Sequence, residues 1–199
     1  MKNFKSHYFL FLFSILFLLS TSVLGQFKGT MTFNTMNKER SFEVYSSDLG
    51  YRYEFDEDGQ KGAVIVKSGS QEVVILMPQQ KMAMKSSSDD PMSMSNDPLK
   101  SFEHYKESGI LKEVGEETIS GVPCKKSILY NKENPSQKMF TMWYSEQYKF
   151  PMKMINHIDG SENSGMEMKD VKPWKPNPEK FEIPSDYQVM DVPKTMPNK

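Results

Sequence analysis

The sequence predicts a mainly β (α+β) fold: a large curved antiparallel sheet wrapped around one or a few helices. Three observations predict it. Apolar and polar residues alternate with period two through about ten segments, the pattern of half-buried strands. Turns rich in Gly, Asp and Ser join those segments in sequence, as in hairpins. One stretch alone, residues 98–108, has clear helical spacing. So many sequential strands make a sheet too large to stay flat. A sandwich or a closed barrel is the competing arrangement.

The first segment is a leader. Lys2 and Lys5 precede an apolar run from Tyr8 to Leu19, and Val23-Leu24-Gly25 is a small-residue cleavage pattern. The run is short of the ~20 residues that span a bilayer, so a cleaved signal peptide over residues 1–25 is expected. No Cys follows it, so no lipid anchor is expected. Residues 26–192 then form a single β-rich domain and residues 193–199 a flexible tail. The product is periplasmic or secreted. Its formal charge moves from −1 to −3 once Lys2 and Lys5 are gone, and no basic stripe points to nucleic acid.

The strands follow in order. Phe27, Gly29, Met31 and Phe33 share one face, with Lys28, Thr30, Thr32 and Asn34 on the other. Phe42–Ser47 continues the pattern. Tyr51, Tyr53 and Phe55 alternate with Arg52, Glu54 and Asp56. Asp56-Glu57-Asp58-Gly59 turns the chain; its spacing lacks the twelfth-position Glu of a calcium loop. Ala63–Val66 and Glu72–Met77 form a hairpin, and Val73-Val74-Ile75-Leu76 reads as a strand covered on both faces. Lys81–Lys85 is short. Ser86–Asp97 is a polar loop. Asp97 and Pro98 open the helix, with Leu99, Phe102 and Tyr105 on one face and Gly109 closing it. Strands resume at Ile110–Val114, Glu117–Ile119, Cys124–Tyr130, Met139–Ser145, Pro151–Ile158 and Gly165–Val171. Pro173, Pro176 and Pro178 exclude a central strand in the last stretch, and Phe181, Ile183 and Tyr187 dock it on the core.

Catalytic chemistry has little to work with. After the leader only His104 and His157 remain, far apart and without a ligand-spaced partner. No nucleophile elbow and no phosphate-binding glycine loop occurs. The protein is expected not to be an enzyme and to need no cofactor. Cys124, the single cysteine, reads as a buried strand residue, with a reactive thiol as the alternative.

Methionine is the unusual feature, with 16 in the chain. Four Met-x-Met pairs occur: Met82/Met84, Met92/Met94, Met152/Met154 and Met166/Met168. Along a strand both members of a pair point the same way. Three readings stay open. Met fills core space; or Met lines a cavity for a flexible apolar ligand, because thioether chains repack around varied shapes; or Met binds copper(I), for which the loop pair Met92 and Met94 is the candidate. The cavity reading assigns Met77, Met82, Met84, Phe102, Met152, Met154, Met166 and Met168 as lining.

Motifs in the C-terminal half carry a family resemblance. They are Glu117-Thr118-Ile119-Ser120-Gly121-Val122-Pro123-Cys124-Lys125-Lys126, Met142-Trp143-Tyr144, Phe150-Pro151-Met152-Lys153 and Phe181-Glu182-Ile183-Pro184-Ser185-Asp186-Tyr187. In this order they resemble a family of uncharacterised exported bacterial domains that looks similar to the periplasmic lipoprotein-carrier (LolA-like) superfamily. The resemblance implies a half-barrel around helices with an apolar cavity for a lipid or a lipoprotein acyl chain. The implied partners are a lipid or an acylated protein, with transient membrane contact, or another envelope protein. It also implies a cargo-binding arginine in an early strand, where Arg52 stands, although alternation sets Arg52 opposite the aromatics of that strand. Release of cargo would follow movement of the Ser86–Asp97 loop or the helix. The competing functions are copper binding and protein interaction without a small ligand.

Overall fold

The structure is a computed structural model that describes residues 25–35, 38–70, 72–87, 98–158 and 164–192. Most of the leader, the pair Met92/Met94, the helix cap Asp97, the Asp159-Gly160 turn and residues 193–199 lie outside the described residues. Twelve strands make one sheet: β1 (Phe27–Thr35), β2 (Lys38–Ser47), β3 (Gly50–Glu57), β4 (Gln60–Lys67), β5 (Glu72–Met77), β6 (Met82–Ser87), β7 (Gly109–Ile119), β8 (Val122–Asn131), β9 (Lys138–Ser145), β10 (Phe150–Asn156), β11 (Gly165–Pro173) and β12 (Gln188–Asp191). Helix α1 spans Pro98–Ser108, as the spacing of Leu99, Phe102 and Tyr105 predicts. The strand order is β12-β6-β5-β4-β3-β2-β1-β11-β10-β9-β8-β7. The sheet is open, with β12 and β7 as its edges, so neither sandwich nor closed barrel forms.

Alternation sorts the side chains onto two faces, and each face has its own cover. Phe27, Met31, Val44 and Tyr53 belong to the larger core, which α1 covers with Phe102, Leu99 and Tyr105. Tyr45, Ala63, Ile65, Val74, Leu76 and Ala83 form a second core on the opposite face. Trp174, Phe181, Ile183 and Tyr187 of the proline-studded segment cover that second core. The register accounts for the split: Tyr45 stands opposite Arg52, Arg52 opposite Ile65, and Ile65 opposite Val74, so these positions share a face. Val73 and Val74 are both buried, so β5 is covered on both sides as its apolar run predicts. Fully burying one such Val, Ile or Phe stabilises by roughly 1.5–3 kcal/mol.

The sheet curls strongly. β3 and β10 stand four places apart in the strand order. On a flat sheet with strands about 4.8 Å apart they would be ~19 Å apart. Yet the rings of Tyr51 and Phe150 lie 5.9 Å apart, and those of Phe27 and Phe150 5.3 Å. A seam permits the curl. β10 and β11 pair only over Lys153–Ile155 against Gly165–Glu167, and β10 carries a bulge between Pro151 and Lys153. Beyond the seam the β7–β8 turn steps in: the Ser120 hydroxyl donates to the Met168 carbonyl at 2.7 Å.

Three features depart from the sequence reading. Gly115 does not separate two strands; β7 runs through it with a bulge between Glu113 and Gly115, where Gly115 takes φ +146°. A bulge absorbs the glycine without ending the ladder. The strands number twelve among the described residues, not about ten; β2 starts earlier than expected, at Lys38, and Gln188–Asp191 is a strand that the alternation did not predict. The last of these, β12, pairs parallel to β6. It starts after the final proline of the docked segment, and as an edge it needs partners on one side only.

Candidate binding site

The methionines meet in the larger core. Register places Phe33 opposite Met166, Met166 opposite Met154 and Met154 opposite Met142, so one row of side chains crosses β1, β11, β10 and β9. Met31 stands opposite Met168 in the next row. Met152 and Met168 are fully buried, and Met154 and Met166 retain 3% exposure. Phe102 closes the group from α1, edge-on to Phe140 at 6.0 Å. Five of the residues that the sequence assigns to a cavity therefore come together beneath the helix, and there they pack against one another. Met77, Met82 and Met84 lie elsewhere. Met77 stands opposite Met82 and Ile75 opposite Met84 across β5 and β6, half-buried, on the face opposite Leu76 and Ala83.

A cleft opens beside this core, at the end of the sheet where the β2–β3, β4–β5 and β9–β10 turns meet the start of α1. Its volume is about 520 Å³, within the roughly 300–1,000 Å³ of small-molecule sites. Tyr51, Tyr148, Phe150 and Leu99 give it an apolar wall, and Lys67, Lys100 and Lys149 stand around it with Asp48. The turns set these side chains. Gly50, at φ +131°, leaves no room for a Cβ, which would sit 2.1 Å from the Val66 carbonyl oxygen; the β2–β3 and β4–β5 turns therefore close tightly on each other. The Ser68 amide, donating to the Leu49 carbonyl at 2.9 Å, fastens them. The Gly25 amide donates to the Gln147 carbonyl at 2.9 Å and brings the β9–β10 turn to the first strand. The aromatic wall is continuous with the methionine core: Tyr148 and Phe150 both contact Phe27, at 5.1 and 5.3 Å. Two residues on from Phe27, the Gly29 Cβ position is 3.2 Å from the Met168 methyl.

None of the methionines assigned from sequence is among the residues lining this cleft. Its aromatics and lysines escaped the sequence reading because they sit at strand ends, in the β9–β10 turn and at the start of α1, far apart in the chain. A signal was present: in an antiparallel meander the β2–β3 and β4–β5 turns fall at the same end, and Lys67 and Tyr51 flank those turns.

The other candidates have structural partners. His157 Nε2 is 2.9 Å from the Thr141 hydroxyl oxygen, and His104 packs edge-on to Tyr105 at 5.4 Å. Among the described residues no three of His, Cys, Asp and Glu group as metal ligands. Cys124 is buried, and burial pushes its thiol pKa up, away from a reactive thiolate. Arg52 lies under the docked segment, on the face away from the methionines. Its Nη1 donates to the Lys180 carbonyl at 2.8 Å and its Nε pairs with Glu54 at 2.7 Å. The motifs that carry the family resemblance also assemble as architecture. Trp143 donates to Glu117 at 2.7 Å and lies between the ammonium groups of Lys126 and Lys153, at 4.9 and 5.6 Å from its ring.

No family model matches the chain, and no curated protein is similar to it. Solved structures are. An uncharacterised conserved protein from Thermus thermophilus matches with a TM-score of 0.55 and 12% identity, over 86% of this chain and 93% of the other. MucB, solved in complex with MucA(peri), matches with a TM-score of 0.51 and 15% identity over 86% of this chain. The chain spans 58% of that MucB chain's length. The neighbours also include a LolA superfamily protein from Nitrosomonas europaea, with a TM-score of 0.40 and 10% identity over 80% of this chain and 90% of the other. The open, curved sheet is thus a fold that this chain shares with the Thermus protein and with MucB.

Proposed function

We propose that this chain is an exported, non-enzymatic binding protein of the bacterial envelope that carries or senses a molecule with an apolar chain, a lipid or a lipoprotein acyl group. One observation carries the reading: the cleft at the open end of the half-barrel has an aromatic wall that runs into a core of methionines. Met152, Met154, Met166, Met168 and Phe102 are the expandable part of this site. Unbranched thioether chains re-pack at low cost, so a chain that enters past Tyr51, Tyr148 and Phe150 displaces them without breaking the sheet. Met77, Met82 and Met84 extend the same soft surface toward β6. Export rests on the leader pattern of residues 1–25. Native mass spectrometry of the protein, purified from the exported fraction without detergent, tests this. A heterogeneous adduct that organic solvent strips off is expected. A bare protein that also takes up no fatty acid or phospholipid overturns the reading, and an adduct of copper mass moves the function to the Met92/Met94 alternative.

A second reading has its own observation. β7 is an edge strand of 11 residues that exposes Ile110, Leu111 and Val114. An extended segment of another envelope protein can add to such an edge. MucB was solved with a protein partner, MucA(peri). Crosslinking that maps a partner to β7 in a protein with no adduct favours this reading.

A further inference from the structure

We infer that the cleft selects amphiphiles with an anionic head, a carboxylate or a phosphate, held by Lys67, Lys100 and Lys149 while the chain lies along Tyr51, Tyr148 and Phe150. This rests on the apolar-cargo function above and names the chemistry at its mouth.

Charge is the first argument. The chain carries 25 basic and 26 acidic residues, yet the cleft is lined by three lysines and one aspartate. Glu72 pairs with Lys67 at 2.9 Å but is shared with Lys85 at 3.1 Å, so one carboxylate answers two ammonium groups there. Lys149 has no acidic partner among the described residues. Its backbone, at φ +49°, turns sharply between Tyr148 and Phe150, and all three residues line the cleft.

Geometry is the second argument. Leu99 and Lys100 stand in the first turn of α1, which contains no acidic residue and where the helix dipole is positive. Backbone of the β2–β3 and β4–β5 turns, with Ser47, Ser68 and Ser70, supplies further hydrogen-bonding groups around the same mouth. Three lysines and three aromatic rings around one cleft fit a molecule that is polar at one end and apolar along its length. They fit neither a free anion nor a neutral oil.

Calorimetry with three probes on the full mature chain tests this: palmitate, hexadecanol and inorganic phosphate. Palmitate is expected to bind at least about tenfold more tightly than hexadecanol, since a hydrogen bond to a charged group is worth roughly 1.5–3 kcal/mol. The double variant Lys100→Gln/Lys149→Gln is expected to bring palmitate down to hexadecanol's affinity while leaving hexadecanol unchanged. Circular dichroism confirms that the variant is folded. Equal binding of palmitate and hexadecanol overturns the anionic-head inference and leaves the apolar-cargo function standing. Phosphate binding as tight as palmitate's, lost in the double variant, overturns the amphiphile in favour of a free anion. Binding of none of the three overturns both.

Discussion

Gly165 stands at φ +155°, and a Cβ there would sit 2.0 Å from the Met154 carbonyl oxygen. It begins β11 at the three-residue seam with β10, where the strands must approach closely before they diverge. Gly165→Ala is therefore expected to cost roughly 3 kcal/mol, combining left-handed strain with backbone overlap; urea unfolding measures it, and a loss under about 1 kcal/mol contradicts the account of the seam. Met168 raises a different question. It is fully buried beside Gly29, so Met168→Ala is expected to cost about 2–5 kcal/mol. Met168→Leu keeps the volume and is expected to cost under ~1.5 kcal/mol. If methionine's flexibility serves binding, the Leu variant keeps its stability and loses affinity for long-chain amphiphiles. Unchanged affinity in the Leu variant returns Met168 to simple packing.

At the scale of elements, the segment from Trp174 to Tyr187 is a strap. Trp174 stacks edge-on to Tyr45 at 5.1 Å, and the Lys180 ammonium lies 3.8 Å above the same ring. Lys180 also donates to Glu54 at 2.9 Å. Burial alone would raise the Glu54 pKa, but the hydrogen bond from Lys180 and the charge of Arg52 outweigh it and hold the carboxyl below its ordinary 4.5. A lowered folded pKa means stability that is present above the ordinary value and lost as the pH falls through the folded one. The strap is therefore expected to loosen below about pH 4.5. Pulse-labelled hydrogen exchange over residues 174–187 reads this, and Glu54→Gln should abolish the pH step. Protection that persists until global acid unfolding would sink it. Helix α1 is the strap's counterpart on the other face. Phe102→Ala removes its buried anchor and is expected to cost about 3–5 kcal/mol.

At the scale of the whole molecule, one sheet carries two cores, so each cover protects a different set of strands. A chain ending at Pro173 lacks Trp174, Phe181, Ile183 and Tyr187 and leaves Ile65, Val74, Leu76 and Ala83 without cover. Such a chain is expected to bind hydrophobic dyes and self-associate, while the methionine core under α1 persists. Gel filtration of the truncated chain decides it, and a dye-silent monomer would show that the second core needs no strap. Topology also sets the folding speed. Phe27 pairs with Pro173, so the central strand waits for a partner from the far end of the chain. Folding in milliseconds to seconds or slower is expected from pairings this distant. Stopped-flow refolding measures it, and a microsecond phase that restores the full signal would contradict the pairing.

Local periodicity determined which residues form strands and which way they point. The faces of β1 and β3, the double burial of β5 and the bounds of α1 were all legible, because alternation and helical spacing involve only neighbours a few positions apart. The separation of Arg52 from the aromatics beside it was legible for the same reason. Tertiary structure alone decided that β1 lies against β11, that β12 adds to β6, and that a seam at Gly165 lets the sheet curl until Phe150 meets Tyr51. It alone gathered Met152, Met154, Met166 and Met168 with Phe102 in one core and set Lys67 of β4, Lys100 of α1 and Lys149 of the β9–β10 turn around one cleft. These depend on which distant surfaces bury one another, and a sequence records that only through the sum of all its contacts.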